Sequence, residues 1–152
     1  MLIMIKRFFS KPADQGMEQD EQISEHDIQV ATCALFLEMA NIDESFTKEE
    51  MEKILLILKS KYGLSPEYAD ELVKEAKKEL DDSIDLWQFT NKINENYSNE
   101  EKIKIIESLW QIVFVDEKMD KYENYLMHKL STLLRLSHEQ LIDAKLKVLH
   151  SS

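Results

Sequence analysis

The stretch ANIDESFTKEE, residues 40–50, has a counterpart of the same pattern in VFVDEKMDKYE, residues 113–123. In both, an Asp-Glu pair is followed by a Lys five positions after the Asp and by a Glu seven positions after it. A shift of 73 positions brings these residues into register. The repetition predicts a duplicated three-helix unit, with halves at about residues 24–80 and 98–149 related by a pseudo-twofold axis.

The composition predicts an all-α protein. The 152 residues include only two Gly and two Pro, whereas residues that favour helices are abundant. A chain of this length normally forms one domain. Apolar residues at spacings of three and four predict a single compact bundle of about seven helices. We expect helices at about residues 24–42, 47–62, 66–80, 84–96 and 98–116, and two more that begin near 120 and 137.

Helix starts are marked by side chains that can bond to free backbone N–H groups. A capping box needs Ser or Thr followed three residues later by Glu or Gln. Gly63 suits a left-handed C-terminal cap after the second helix, and Ser65 followed by Pro66 suits the N-cap and first position of the third. The predicted boxes are Thr47 with Glu50, Ser98 with Glu101, Ser137 with Gln140 and, with Asp as the cap, Asp120 with Glu123.

A short N-terminal segment precedes the bundle and is predicted to be a helix packed on the core. The alternative is an amphipathic membrane tether, because Phe8 and Phe9 stand next to Lys6 and Arg7. Residues 1–21 combine a short apolar helix, MLIMIKRFFS, with a linker that contains Pro and Gly, and residues 22–152 form the helical domain. The apolar part is too short for a signal peptide, and no segment approaches the roughly 20 apolar residues of a membrane span. Cys33 is the single cysteine, which fits a reducing, cytoplasmic setting and a small buried core residue.

The net charge of −11 argues against nucleic acid as a partner, because phosphate backbones are repelled. An acidic composition is usual for a solvated surface, and the sharper alternative is a cation or a basic partner. His26, His128, His138 and His150 have no spacing suited to joint ligation. We expect Trp87 and Trp110 to fill core positions, with an exposed recognition aromatic as the alternative. The Met and Tyr residues in MDKYENYLMHKL are expected to form a buried stripe, with an adaptable binding face as the alternative.

The duplicated pattern predicts a cluster of four carboxylates if the equivalent residues lie near the pseudo-twofold axis. Its members are Asp43, Glu50, Asp116 and Glu123. Four such groups raise each other's pKa or bind a metal, and oxygen ligands favour hard divalent cations, namely Ca²⁺, Mg²⁺ or Mn²⁺. Capping alone accounts for the two glutamates. It does not account for the aspartates, which follow a helix end where the dipole disfavours an acid.

These residues resemble the tellurite-resistance TerB family and its TerB-like relatives over about residues 24–149. The similarity is most specific in ANIDESFTKEE with YGLS, and in LWQIVFVDEKMDKYE with RLSHEQL. The resemblance implies an all-α, internally duplicated domain that binds a divalent metal through Asp43, Glu50, Asp116 and Glu123. Relatives often have Gly directly after each Asp, where this chain has Glu44 and Glu117. Glu44, Glu117 and Asp120 are secondary candidates for cation binding or for surface acids.

The resemblance implies a non-enzymatic, divalent-cation-binding module that acts as an interaction or scaffold protein in a bacterial stress response. Its partner would be a protein, in a membrane-associated assembly. The alternative is a metal-independent acidic domain for protein–protein interaction, in which the repeated acids only cap helices. A metal-dependent hydrolase ranks below both.

Overall fold

The computed structural model of the chain describes residues 24–41, 47–116 and 121–151, with Asp116 described by its backbone alone. Within these ranges the fold is all-α and compact, as predicted, with no strands. The predicted N-terminal helix and linker at residues 1–21 lie outside them. The seven helices are α1 (Glu25–Ala40), α2 (Lys48–Ser60), α3 (Pro66–Asp82), α4 (Trp87–Asn96), α5 (Asn99–Val113), α6 (Lys121–Leu133) and α7 (His138–His150), and a 3-10 turn, η1 (Phe114–Asp116), extends α5.

Two helices form the centre of the bundle. Helix α1 is buried along almost its whole length from Ile28 to Ala40 and packs against α3, α4 and α5. Helix α5 contacts α1, α2, α6 and α7. Trp110 of α5 is buried, and its indole N–H donates to the carbonyl of Leu141 at 3.1 Å, which fixes α7 against α5. The remaining helices therefore have an apolar face on one of these two and a polar face in solvent.

Most helix starts follow the predicted caps. The boxes at Thr47, Ser98 and Ser137 are all formed, and Ser65 caps α3 directly before Pro66. Helix α4 differs, because it begins at Trp87 and not at Ile84. Ile84 is 97 % exposed and belongs to the loop, so the apolar stripe used for the prediction was extended one turn too far.

Several aromatic residues expected in the core are on the surface. Trp110 is buried as predicted, but Trp87 is 57 % exposed. The stripe in α6 is divided in the same way, since Leu126 and Met127 are buried whereas its two tyrosines are exposed. The prediction was wrong for these residues because helical spacing places apolar side chains on faces but does not say which face meets the core.

Left-handed backbone ends two of the helices. Gly63, after α2, has φ of 69°, and Arg135, after α6, has φ of 63°. The Leu136 N–H bonds to the Ser131 carbonyl at 3.0 Å and the Arg135 N–H bonds to the Thr132 carbonyl at 2.9 Å, so the chain turns sharply there. The internal duplication stays a prediction, and the two turns occupy corresponding places in the predicted halves.

We expect Gly63→Ala to lower the free energy of unfolding by about 1 kcal/mol, because a side chain disfavours left-handed backbone. A Cβ at Gly63 meets no atom within 4 Å, so the backbone alone determines this loss. Arg135→Gly should raise the free energy of unfolding by about 0.5 kcal/mol, because glycine adopts left-handed backbone readily. The gain is small because glycine also loses more conformational entropy on folding. Denaturant unfolding of both variants measures the two changes, and an unchanged Gly63→Ala variant would contradict the assignment.

Two lysines of α5 bond to the ends of other helices. Lys102 is buried, and its ammonium donates to the Leu134 carbonyl just after α6 at 2.8 Å and to Asn94 Oδ1 at 3.1 Å. Half-buried Lys104 donates to the carbonyl of Lys61, the C-cap of α2, at 3.0 Å. Burial, with the nearby Arg135 charge, lowers the pKa of Lys102. Both ammonium groups therefore lie at the negative ends of helix dipoles.

We predict that Lys102→Met lowers the free energy of unfolding by about 2–4 kcal/mol, because the buried bond to the Leu134 carbonyl and the part-buried bond to Asn94 Oδ1 lose their charged donor. The methionine keeps the apolar stem, so packing changes little. Lys104→Met is the matched control and should lower the free energy of unfolding by about 1 kcal/mol, since its single bond, to the Lys61 carbonyl, is only part-buried. Denaturant melts of both variants provide the comparison. Equal small losses would show that the Lys102 bonds do not stabilise the fold.

Candidate functional site

Glu50 is a buried acid at the start of α2. It is the third residue of the helix, and only 3 % of it is exposed. Its Oε1 accepts the Thr47 backbone N–H at 2.9 Å and the Thr47 hydroxyl at 3.2 Å, and its own N–H donates back to Thr47 Oγ1 at 3.1 Å. The capping box thus fixes the position of the carboxylate.

Glu123 has the corresponding place in α6. It is the third residue of that helix and is 2 % exposed. The residue predicted to cap this helix, Asp120, is outside the described part of the chain. Both predicted metal-binding glutamates that the structure describes are therefore buried at the same position of their helices.

Burial of these acids is not a property of capping boxes in general. Glu101 forms the same box with Ser98, accepting the Ser98 N–H at 2.8 Å, but Glu101 is exposed. Gln140 forms another with Ser137 and is half-buried. Removing an ionised carboxylate from water costs free energy that charged or hydrogen-bonding partners must offset. Glu101 shows that a glutamate can cap a helix without being buried. Local sequence explains the caps, and it does not explain the burial of Glu50 and Glu123.

The other predicted ligands are described in part or not at all. The η1 turn, which ends at Asp116, packs against α5 and against α2, the helix that carries Glu50. Asp43, Glu44, Glu117 and Asp120 lie outside the described residues, as does the side chain of Asp116. Among the residues that the structure describes, no group of three or more His, Cys, Asp or Glu is arranged to hold a metal ion.

The donor chemistry of the described acids suits a hard cation. A carboxylate has two oxygens with about four acceptor positions, so the capping bonds at Oε1 of Glu50 are compatible with ligation. Glu50 and Glu123 would supply only oxygen, the donor preferred by Ca²⁺, Mg²⁺ and Mn²⁺. Both sit in a first helical turn, where the positive end of the dipole favours negative charge.

Histidine contacts were missed by sequence reasoning. His26 Nδ1 lies 2.6 Å from the Tyr68 hydroxyl and Nε2 lies 2.9 Å from Glu75 Oε1, so the ring joins α1 to α3. The rings of His128 and His138 stack with centroids 5.5 Å apart. The partners in each case are on different helices. Spacing within one helix therefore gave no signal of either contact.

Cys33 is a core residue, as its sequence position predicts. It is fully buried in α1, and burial raises the pKa of its thiol to about 12. Because the thiolate is the reactive form, this thiol is unreactive in the folded protein.

A small cleft lined by Gln29, Thr32 and Tyr97 has a volume of about 10 Å³, which is room for one water.

We predict that a thiol reagent labels native Cys33 only as fast as the protein opens, because the thiol is both buried and protonated. Labelling should become immediate in denaturant. Time courses with a chromogenic disulfide reagent measure both rates. Rapid labelling under native conditions would show that α1 is accessible.

The protein is an all-α bundle with a buried glutamate as the third residue of both α2 and α6. The chain belongs to the TerB family, because the family described as "Tellurite resistance protein TerB" matches residues 29–146. The resemblance seen in the sequence is thereby confirmed.

A solved structure supports the fold. The chain is similar to a protein of unknown function from Porphyromonas gingivalis, with a TM-score of 0.63 and 19 % identity over 85 % of this chain and 98 % of that one. At this identity the similarity speaks for the fold alone. No curated protein matches the chain. None of the helices in the described ranges is long and apolar enough to cross a membrane.

Proposed function

We propose that this TerB-family chain is a non-enzymatic module that binds one divalent cation, Ca²⁺, Mg²⁺ or Mn²⁺, between its two predicted halves. The proposed ligands are Asp43, Glu50, Asp116 and Glu123. The observation that carries the proposal is the burial of Glu50 and Glu123, which are 3 % and 2 % exposed. Glu101, in an otherwise similar capping box, is by contrast exposed.

The energetics of buried acids favour a cation. If the four acids lie together as the predicted halves imply, any two carboxylates about 4 Å apart would repel by about 4 kcal/mol at an effective dielectric near 20, and a divalent ion would convert this repulsion into attraction. The contact between η1 and α2 supports the grouping, because it joins the helix of Glu50 to the turn that ends at Asp116. Glu44, Glu117 and Asp120 add negative charge to the two repeated motifs and are proposed as secondary ligands or surface acids.

Membership of the TerB family supports a proposal for the biological role. We propose an interaction or scaffold protein of a bacterial stress response, located in the cytoplasm, with a protein partner in a membrane-associated assembly. A metal-independent acidic interaction domain is the alternative, because the capping bonds of Glu50 are complete without a cation. A metal-dependent hydrolase is the least supported of the three functions considered.

The test is the melting temperature of chelator-treated protein with each cation added separately. A ligand present at about 100 times its dissociation constant stabilises the fold by about 2.7 kcal/mol. For a domain of this size we expect the melting temperature to rise by about 5–10 °C. Glu50→Gln and Glu123→Gln should each abolish the rise, and so should Asp43→Asn combined with Asp116→Asn.

Glu101→Gln is the matched control, because it removes one charge from a capping box in solvent. Gln140 shows that glutamine can complete such a box in this chain, so the substitutions remove charge and keep the cap. The control should keep the full response to the cation. No response in the wild type, or an equal loss in Glu101→Gln and Glu50→Gln, would contradict the proposal and favour the metal-independent domain.

A further inference from the structure

Residues 81–87, which comprise the loop between α3 and α4 and the helix ends on either side of it, carry exposed apolar side chains among acids and are called the α3–α4 loop below. Ile84 is 97 % exposed and Trp87 is 57 % exposed, and the surrounding Asp81, Asp82 and Asp85 are exposed as well. Large apolar groups exposed among polar residues mark a binding site where they form one patch. The loop thus combines negative charge with two apolar groups of the size that dominates protein interfaces.

The exposed conformation of this loop is held by a buried leucine and by hydrogen bonds within the loop. Leu86, between the two exposed residues, is buried in the core. Asp85 Oδ1 accepts the Trp87 backbone N–H at 3.0 Å, and the Ser83 hydroxyl donates to the Leu80 carbonyl at 2.8 Å. These bonds fix the loop before any partner binds, which reduces the entropy lost on binding.

The outer face of α6 has the complementary chemistry. Tyr122 and Tyr125 are 58 % and 67 % exposed, three residues apart and therefore on one side of the helix. Lys121 and Lys129 are exposed on the same side, and the Lys121 ammonium lies 5.7 Å from the centre of the Tyr122 ring. The single acid between Lys121 and Leu133 is Glu123, which is buried. All charges that α6 presents to solvent are therefore positive.

Charge is distributed unequally along the chain, and the distribution agrees with the acidic α3–α4 loop and the basic α6 face. Residues 24–97 contain 17 acidic and 8 basic residues, whereas residues 98–151 contain 9 acidic and 8 basic residues. The α3–α4 loop lies in the strongly acidic part and α6 in the nearly neutral part. A second copy of this chain therefore offers each surface its complement, in charge and in apolar character.

We propose that the chain self-associates, with the α3–α4 loop of one copy docked on the α6 face of another. Trp87 and Ile84 pack against Tyr122 and Tyr125, which is the aromatic chemistry typical of interface hot spots. The aspartates of the loop lie near Lys121 and Lys129, where they set orientation and association rate more than affinity. The proposal does not depend on the cation site.

The experiment is analytical ultracentrifugation of the full chain in chelator, so that divalent ions cannot bridge acidic surfaces. We expect the mass to rise from the 17.9 kDa monomer to at least twice that value as concentration increases from about 10 µM to about 1 mM. Raising the salt concentration from about 0.05 M to about 0.5 M should weaken association by screening. Trp87→Ala and Tyr125→Ala should each leave the protein monomeric.

A charge exchange tests the pairing of the two surfaces. Lys121→Glu with Lys129→Glu makes the α6 face acidic, and Asp81→Lys with Asp82→Lys makes the loop basic. Each double variant alone should stay monomeric, and a mixture of the two should associate, because the altered loop again meets a face of opposite charge. Circular dichroism confirms that these surface variants are folded.

Lys59→Glu with Lys74→Glu is the control, since both lysines are exposed, lie outside the two surfaces and give the same change in net charge. It should associate like the wild type. A wild type that stays monomeric over the whole concentration range would overturn the proposal. So would association that the loop and α6 variants leave unchanged, or a mixture of the two double variants that stays monomeric.

Discussion

The position of the second helix in each predicted half depends on an ammonium group of α5. Lys104 bonds to the carbonyl that ends α2, and Lys102 bonds to a carbonyl just after α6. The last carbonyls of a helix have no partner within it and form the negative end of its dipole, so a lysine is well suited to this place. A helix of 13 residues is about 20 Å long. If its C-terminal end is held and its apolar face packs on the core, the position of its N-terminal end is determined as well. Glu50 and Glu123 lie at those N-terminal ends, so the geometry of the candidate site depends on α5, which supplies neither glutamate.

The fold was predictable where its determinants are local. A capping residue bonds to a backbone N–H two or three positions away, so the starts at Thr47, Ser65, Ser98 and Ser137 could be predicted from sequence. At the start of α4 the N-cap residue, Leu86, provides no side-chain cap, and the Trp87 N–H bonds to Asp85 Oδ1 outside any capping-box pattern. This start is determined by Leu86, which enters the core, and core packing is a tertiary property. The contribution of Lys102 was equally invisible, because its partners are 8 and 32 positions away along the chain.

The candidate site shows the same division between local and tertiary information. Repetition in the sequence identifies Glu50 and Glu123 as related residues, but a capping-box pattern reads the same in Glu101, which the fold leaves in solvent. The difference between these glutamates is where each helix start lies relative to the core.

The exposed aromatic residues were predicted wrongly for a related reason. Trp87, Tyr122 and Tyr125 were counted as core residues because they are apolar in part, and an aromatic ring on a helix can belong equally to a core or to an interface.

Ionic strength separates the two proposals physically. The Debye length is about 8 Å at physiological salt, so exposed charges interact only with near neighbours and the net charge of −11 opposes association weakly. Local complementarity between the α3–α4 loop and the α6 face then decides whether two copies meet. Charges in a buried site are screened much less than charges on the surface, so a cation held by Glu50 and Glu123 depends little on long-range screening. Added salt therefore weakens contact between copies before it weakens a buried cation site, and the two can be studied independently in one protein.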